Sequence, residues 1–245
     1  LRGRIGIQSK CGIRFPDDPQ PGAPARYDFS HDHIVRSVEG SLRRLQTDYL
    51  DILLLHRPDA LVEPEEVARA FDDLQAAGKV RHFGVSNHTA GQIALLTKYV
   101  RQAIVANQVQ LSLVHHFLIS EGLVANIAGN TTVLAIGTRD YCRQNAIQIQ
   151  AWGPVANGRL SRPEAEVDEA LRPAAALVAK LAAEKGVSAD AILLAWLLRH
   201  PSGIHPIIGT ARPERITDSA PAVDVELSRE EWYALLAAVR GKGVP

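Results

Sequence analysis

Groups able to do chemistry recur in this chain at the ends of short apolar runs. Lys10 follows Ile5 to Ser9, and His56 follows Leu50 to Leu55. Ser86 and Asn87 follow Val80 to Val85, Gln108 lies in IVANQVQ, and Trp152 precedes Gly153 and Pro154 after another such run. A nearly continuous apolar segment is expected of a parallel strand covered on both faces, and an α/β barrel keeps its reactive groups at the carboxyl ends of such strands. Each group also has an ordinary use. A lone histidine can be a satisfied core residue, a lysine can keep its ammonium in water above a buried stem, serine and asparagine can cap strand ends, and tryptophan can fill a core.

The elements needed to position these groups can be read from periodicity. A helix is expected around His33 to Leu45, with Ile34, Val38, Leu42 and Leu45 on one face. The strand at Leu50 stops at His56-Arg57-Pro58, because proline cannot extend a ladder. A second helix opens at Pro64, carries Val67, Ala70, Phe71 and Leu74 at helical spacing, and closes at Gly78-Lys79. The strand at Val80 leads to a helix capped by Thr89. Further strands are expected at Ile104 to Gln108, Ile147 to Ala151 and Pro206 to Ile208, with helices at Thr138 to Gln144, Pro173 to Lys185, Ala189 to Leu198 and from Pro213. Ser228 followed by Glu231 is a capping box that opens a last helix through Trp232, Leu235 and Leu236. The pattern predicts six βα units in a single domain over 1–245, in an α/β fold of the (β/α)8 TIM-barrel type.

Asp48 to Asn87, with one strand ending Leu-His and the next ending Gly-Val-Ser-Asn, resembles the aldo-keto reductase family. The resemblance runs along the whole chain through Lys10, ANQ at 106–108, AWGPVANGRL from Ala151 and PIIGTARPERI from Pro206. It implies an NADP-dependent oxidoreductase that reduces an aldehyde or ketone by hydride transfer. In that family the histidine matching His56 orients and polarises the carbonyl, and the lysine matching Lys10 lowers the pKa of a proton-donating tyrosine. Ser86, Asn87 and Gln108 match positions that bind the nicotinamide carboxamide, and Trp152 matches an aromatic platform under the ring. Gly153, Pro154, Val155, Gly158, Arg159 and Leu160 match a loop that approaches phosphate. Gly209, Thr210, Arg212 and Arg215 match the region holding the adenosine ribose phosphate, for which a guanidinium offers fixed donors and permanent charge. Asp218 and Ser219 match positions near the adenine, where many members carry glutamate and asparagine, and Gly209 replaces a lysine found in one large branch.

Six units cannot close an eight-stranded barrel, because strand number and shear are linked. Two more units are therefore expected before Leu1, which is read as an interior point of a longer barrel in a chain without methionine. The resemblance implies that those units carry the family's Asp-Thr-Ala-x-x-Tyr-Gly signature, with an aspartate near the cofactor and the tyrosine donor. No segment here resembles that signature, and Tyr27 lies in a Pro-rich stretch, Phe15 to Ser30, read as a connection at the barrel top.

The 27 acidic and 27 basic residues leave no net field favouring nucleic acid or an anionic membrane. A small-molecule carbonyl substrate is the expected partner, and no metal site is expected. Two cysteines are too few for a disulfide framework and no apolar run spans a bilayer, which together point to a cytoplasmic enzyme. Redox-sensing channel subunits resemble the same family, so a nucleotide-binding regulatory or catalytically impaired protein is the competing expectation.

Overall fold

The computed structural model describes residues 2–123, 137–161 and 167–243. They form two compact units, one of residues 2–108 with Gln144–Ile147, the other of Val109–Arg143 with the residues from Gln148 onward.

In the first unit, β1 (Gln8–Cys11), β4 (Leu50–Leu55), β5 (Val80–Ser86) and β6 (Ile104–Gln110) make parallel ladders in the order β1-β4-β5-β6. Helices α1 (His31–Leu45), α2 (Pro64–Ala76) and α3 (Ala90–Leu96) follow β1, β4 and β5 in the chain. Between β1 and α1 stands a short antiparallel ribbon of β2 (Ile13–Arg14) and β3 (Arg26–Tyr27). The expected connection Phe15 to Ser30 is thus partly ordered by pairing, and Arg14 is buried with its Nε donating to Asp28 at 2.6 Å.

The first strand begins and ends later than periodicity suggested, and because it runs to Cys11, Lys10 lies within β1 rather than after it. The backbone amide of Ile7 donates to the Asp51 carboxylate at 2.8 Å instead of entering a ladder, and Ile5 is exposed. Helix α1 buries Ile34, Val38 and Leu42 as expected of an amphipathic helix, but Leu45 is exposed because Gln46 ends the helix in a left-handed conformation. The α2 stripe of Val67, Ala70, Phe71 and Leu74 is buried, with Phe71 stacked on Phe83 of β5 at 4.0 Å. Thr89 and Gln92 form a capping box that opens α3.

Gly84 is required by packing. A Cβ there would lie 2.6 Å from Leu54 Cδ2 and 2.7 Å from the Ala106 carbonyl oxygen, at a point where the β5–β6 register shifts.

In the second unit, β7 (Gln148–Trp152) pairs in parallel with β8 (His205–Ile207), and Trp152 aligns with Ile207. Helices α4 (Phe117–Ser120), α5 (Thr138–Gln144), α6 (Arg172–Lys185), α7 (Ala189–Leu198), α8 (Pro213–Ser219) and α9 (Arg229–Arg240) complete its helical part. Helix α7 is apolar on nearly all sides and is buried from Ala191 to Leu197. Its Trp196 stacks on Trp232 of α9, and each indole N–H donates to the other residue's carbonyl, at 3.1 and 2.9 Å. Ser228 and Glu231 form the capping box that opens α9. Among the described residues, no helix is long and apolar enough to cross a membrane.

Candidate active site

The first unit brings Lys10, His56, Ser86, Asn87 and Gln108 to the carboxyl ends of adjacent strands. Lys10 aligns with Leu54 on β4, and the His56 amide donates to the Cys11 carbonyl at 2.9 Å. Because side chains alternate along a strand, Lys10, Leu54 and His56 share one face of the sheet. Ser9, on the opposite face of β1, contacts Ser41 of α1 at 3.3 Å. His56 sits close enough to Lys10 for the ammonium to lower its pKa; burial is the larger cause and Arg57 adds to it. Burial also lowers the pKa of Lys10. These causes all favour the neutral imidazole, which can donate from one nitrogen.

Behind this pair the polar residues of β5 and β6 hold one another. Ser86 Oγ donates to the Gln108 carbonyl at 2.8 Å and accepts from Asn87 Nδ2 at 2.8 Å. Asn87 Nδ2 also reaches the His56 carbonyl at 3.3 Å, and the Asn87 amide donates to the Gln108 carbonyl at 3.0 Å. Asn87 has φ of 60°, a left-handed conformation that asparagine tolerates better than most residues and that turns its side chain back across the strand ends. These bonds link β4, β5 and β6, so Ser86 and Asn87 serve as strand-end fasteners as well as candidate contacts. Ser86 and Gln108 are buried.

Sequence reasoning missed His88, and gave Asn107, part of the resemblance, no task. His88 Nδ1 donates to the Ser86 carbonyl at 2.9 Å, and the His88 carbonyl accepts from Asn107 Nδ2 at 2.9 Å. Burial lowers the His88 pKa to about 4. The signal was the unbroken polar run Ser86-Asn87-His88 after an apolar strand, too much polarity to bury without mutual bonds.

The second unit assembles the other expected residues around loops. Trp152 is the last residue of β7, and Gly153, with φ of 65°, turns the chain sharply after it. Ala156, Asn157 and Gly158 continue in left-handed conformations through a short 3-10 turn. Gly153, Pro154 and Val155 face Gly209, Thr210, Arg215 and Ser219 across a cavity of about 280 Å³ that Asn157, Asp190 and Ile208 also line. That volume is near the lower end for small-molecule pockets. Helix α8 is tied to the start of α7 by Ser188, the N-cap of α7, which accepts from the Ala191 amide and donates to the Asp218 carbonyl at 2.8 Å.

Not every expected residue reaches this cavity. Leu160 is 2% exposed and lines a neighbouring apolar cavity with Val167, Ala175 and Ala179. Arg159 pairs with Asp168 at 2.7 Å. Arg212 is exposed at the N-cap of α8, its amide donating to Thr210 Oγ1 at 3.2 Å, and Asp218 is exposed on α8. Asp190 was not anticipated; it pairs with Arg215 at 3.1 Å. Tyr27 is 45% exposed on the antiparallel ribbon. Among the described residues, no group of three or more His, Cys, Asp or Glu could hold a metal ion.

The model of the Aldo/keto reductase family matches residues 2–240. The chain is 36% identical over 247 residues to the uncharacterized oxidoreductase YcsN of Bacillus subtilis, covering all of this chain and 76% of that protein. It is likewise 37% identical to the oxidoreductase YdhF of Escherichia coli, covering 76% of it, and 36% identical to a 6-dehydroglucose reductase of Agrobacterium fabrum, covering 75%. A solved thermostable aldo-keto reductase, in complex with the inhibitor epalrestat, superposes with a TM-score of 0.72 at 23% identity, over 97% of this chain and 73% of the other. A putative 2,5-diketo-D-gluconic acid reductase B gives 0.69 at 25% identity, over 100% and 70%. The chain belongs to the aldo/keto reductase family, with a fold of the (β/α)8-barrel type, and is an oxidoreductase.

Proposed function

We propose that this protein is an NADP-dependent reductase of aldehydes or ketones, acting in the cytoplasm as a single barrel domain on a small-molecule carbonyl. The observation that carries the reading is the placement of His56 beside Lys10, on one face at the ends of adjacent parallel strands. The bound NADPH would supply the hydride that reduces the carbonyl carbon.

Each residue then has a task. His56 donates a hydrogen bond to the carbonyl oxygen, polarising it and stabilising the negative charge that develops there. The Lys10 ammonium adds positive potential at the same place. It also favours the anionic form of a general acid beside it, the role that the resemblance gives to a tyrosine in the Asp-Thr-Ala-x-x-Tyr-Gly signature. Ser86, Asn87 and Gln108 are proposed to orient the nicotinamide carboxamide and Trp152 to stack under the ring. Gly153, Pro154, Val155 and Gly158 would line the phosphate approach, with Arg159 and Leu160 supporting that loop. Gly209, Thr210, Arg212 and Arg215 would hold the ribose phosphate, and Asp218 and Ser219 would lie near the adenine. The cavity supports this part of the assignment, since Thr210 and Arg215 line it and nothing lies within 4 Å of where a Cβ would project from Gly153 or Gly209.

Relatives named for sugar-derived carbonyls support beginning with that substrate class. The test is calorimetric titration with NADPH, followed by NADPH oxidation with a panel of aldehydes and sugar-derived ketones. Saturable binding with turnover is expected. Absence of binding sinks the reading, and binding without turnover of any carbonyl transfers the case to a nucleotide-binding regulatory protein.

A further inference from the structure

One carboxylate in the second unit's cavity is poorly suited to a phosphate site. Asp190, in the first turn of α7, lines the cavity together with Gly153, Thr210, Arg215 and Ser219. Its Oδ2 accepts from Arg215 at 3.1 Å. Its Oδ1 is buried and has no hydrogen-bond partner. A buried acceptor without a donor is costly, and beside a cavity it marks a position where a ligand's donor would be stabilised.

The charges lead the same way. Among the described residues lining the cavity, Arg215 is the only lysine or arginine, and Asp190 offsets it. A phosphate monoester brings about −1.5 to −2 of charge at neutral pH and would compete with Asp190 for Arg215. An unesterified ribose hydroxyl is neutral, and Asp190 Oδ1 could accept its proton in a hydrogen bond. Carboxylates elsewhere recognise nucleotide ribose by the same acceptor chemistry.

We propose that Asp190 is the residue that sets the degree of cofactor selectivity, restraining the preference for a 2′-phosphate that Arg215 would otherwise confer, so that NADP is favoured over NAD by less than Arg215 alone would give. The inference rests on the reading of this cavity as the adenosine ribose site. Asp190→Asn keeps the side chain's size and removes its charge, which frees the guanidinium for phosphate and weakens the acceptor for the hydroxyl.

The experiment is equilibrium titration of NADP and NAD by calorimetry on the full chain, as wild type, Asp190→Asn, Asp190→Ala, Arg215→Ala and the Asp190→Asn/Arg215→Ala double variant, with thermal melting of each. The wild type should bind both cofactors, and the ratio of NADP to NAD affinity should rise by about tenfold or more in Asp190→Asn. The rise should vanish in the double variant, because it acts through Arg215. Asp190→Ala gives the same readout should the asparagine variant fold poorly. A ratio within about twofold of wild type in the folded Asp190 variants overturns the inference while leaving the cofactor site standing. A wild type that binds neither cofactor overturns the site and the inference together.

Discussion

The two units hold their candidate residues in opposite ways. In the first, Ser86, Asn87, His88, Asn107 and the carbonyls of Ser86, His56, His88 and Gln108 are joined by hydrogen bonds of 2.8 to 3.3 Å at the ends of strands that bury Leu53, Leu54, Leu55, Phe83 and Val85. In the second, Arg159 stands on an exposed turn and Arg212, Arg215 and Asp218 on the exposed helix α8 and its N-cap, where Arg159 and Arg215 are each held by an ion pair, to Asp168 and Asp190. The contrast follows from what each part is proposed to do. Polarising a carbonyl requires groups fixed in a site of low dielectric, because a dipole that must reorient during the reaction loses much of its effect. Holding a phosphate needs charge more than exact orientation, so cations at the surface suffice and can be retuned by a single neighbour such as Asp190.

The largest test of that contrast is His56→Ala. It should lower kcat by about 100-fold or more, in the range of lost electrostatic or general-acid assistance, while NADPH affinity changes by less than about threefold. A loss of cofactor affinity equal to the loss in kcat would place His56 in binding and remove the division of labour.

Next comes the acid sensitivity of the first unit. The folded-state pKa of His88 is lowered to about 4 by burial, against about 6.5 in the unfolded chain. Below pH 6.5 the unfolded state takes up a proton that the native state refuses, so stability is full above that value and is lost as pH falls toward 4. The shift corresponds to about 3 kcal/mol. Urea unfolding across this range should show that slope, and His88→Asn should flatten part of it. His200 in the second unit, also lowered to about 4 by burial and by Arg139 and Arg143, leaves a remainder. A slope unchanged by the substitution would mean that His88 is not held neutral.

Gly84→Ala tests how tightly the strands beneath the site are packed. The added methyl would meet both a side chain and a backbone oxygen, and overpacking of this kind costs about 1–3 kcal/mol, read as a lower urea midpoint. A midpoint equal to wild type would show that β5 and β6 can part at the register shift. The smallest effect is expected at Arg159. Its ion pair with Asp168 is exposed on both sides, so Arg159→Ala should change stability by less than about 1 kcal/mol, and a larger loss would show that the loop is as firmly built as the first unit's strand ends.

Local pattern determined much of this protein. The strands at Leu50 and Val80, the helices at Thr138–Gln144 and Ala189–Leu198, and the caps at Thr89 and Ser228 all follow from periodicity and capping chemistry over a few residues. The same local information placed His56, Ser86 and Trp152 at strand ends, because an apolar run that stops at a polar residue marks where burial stops. What depended on distant partners was decided by the tertiary structure alone. Lys10 and Cys11 continue the pairing of β1 with Leu54 and Leu55 of β4, so Lys10 falls inside the strand, and Leu160 lines an apolar cavity apart from the one that Thr210 and Arg215 line. The pairing of Asp190 with Arg215 joins residues 25 positions apart on two different helices, and neither residue's neighbours in sequence announce it. Hydrophobic period is a property of neighbouring residues, whereas a hydrogen bond or ion pair exists only once folding has brought its two partners together.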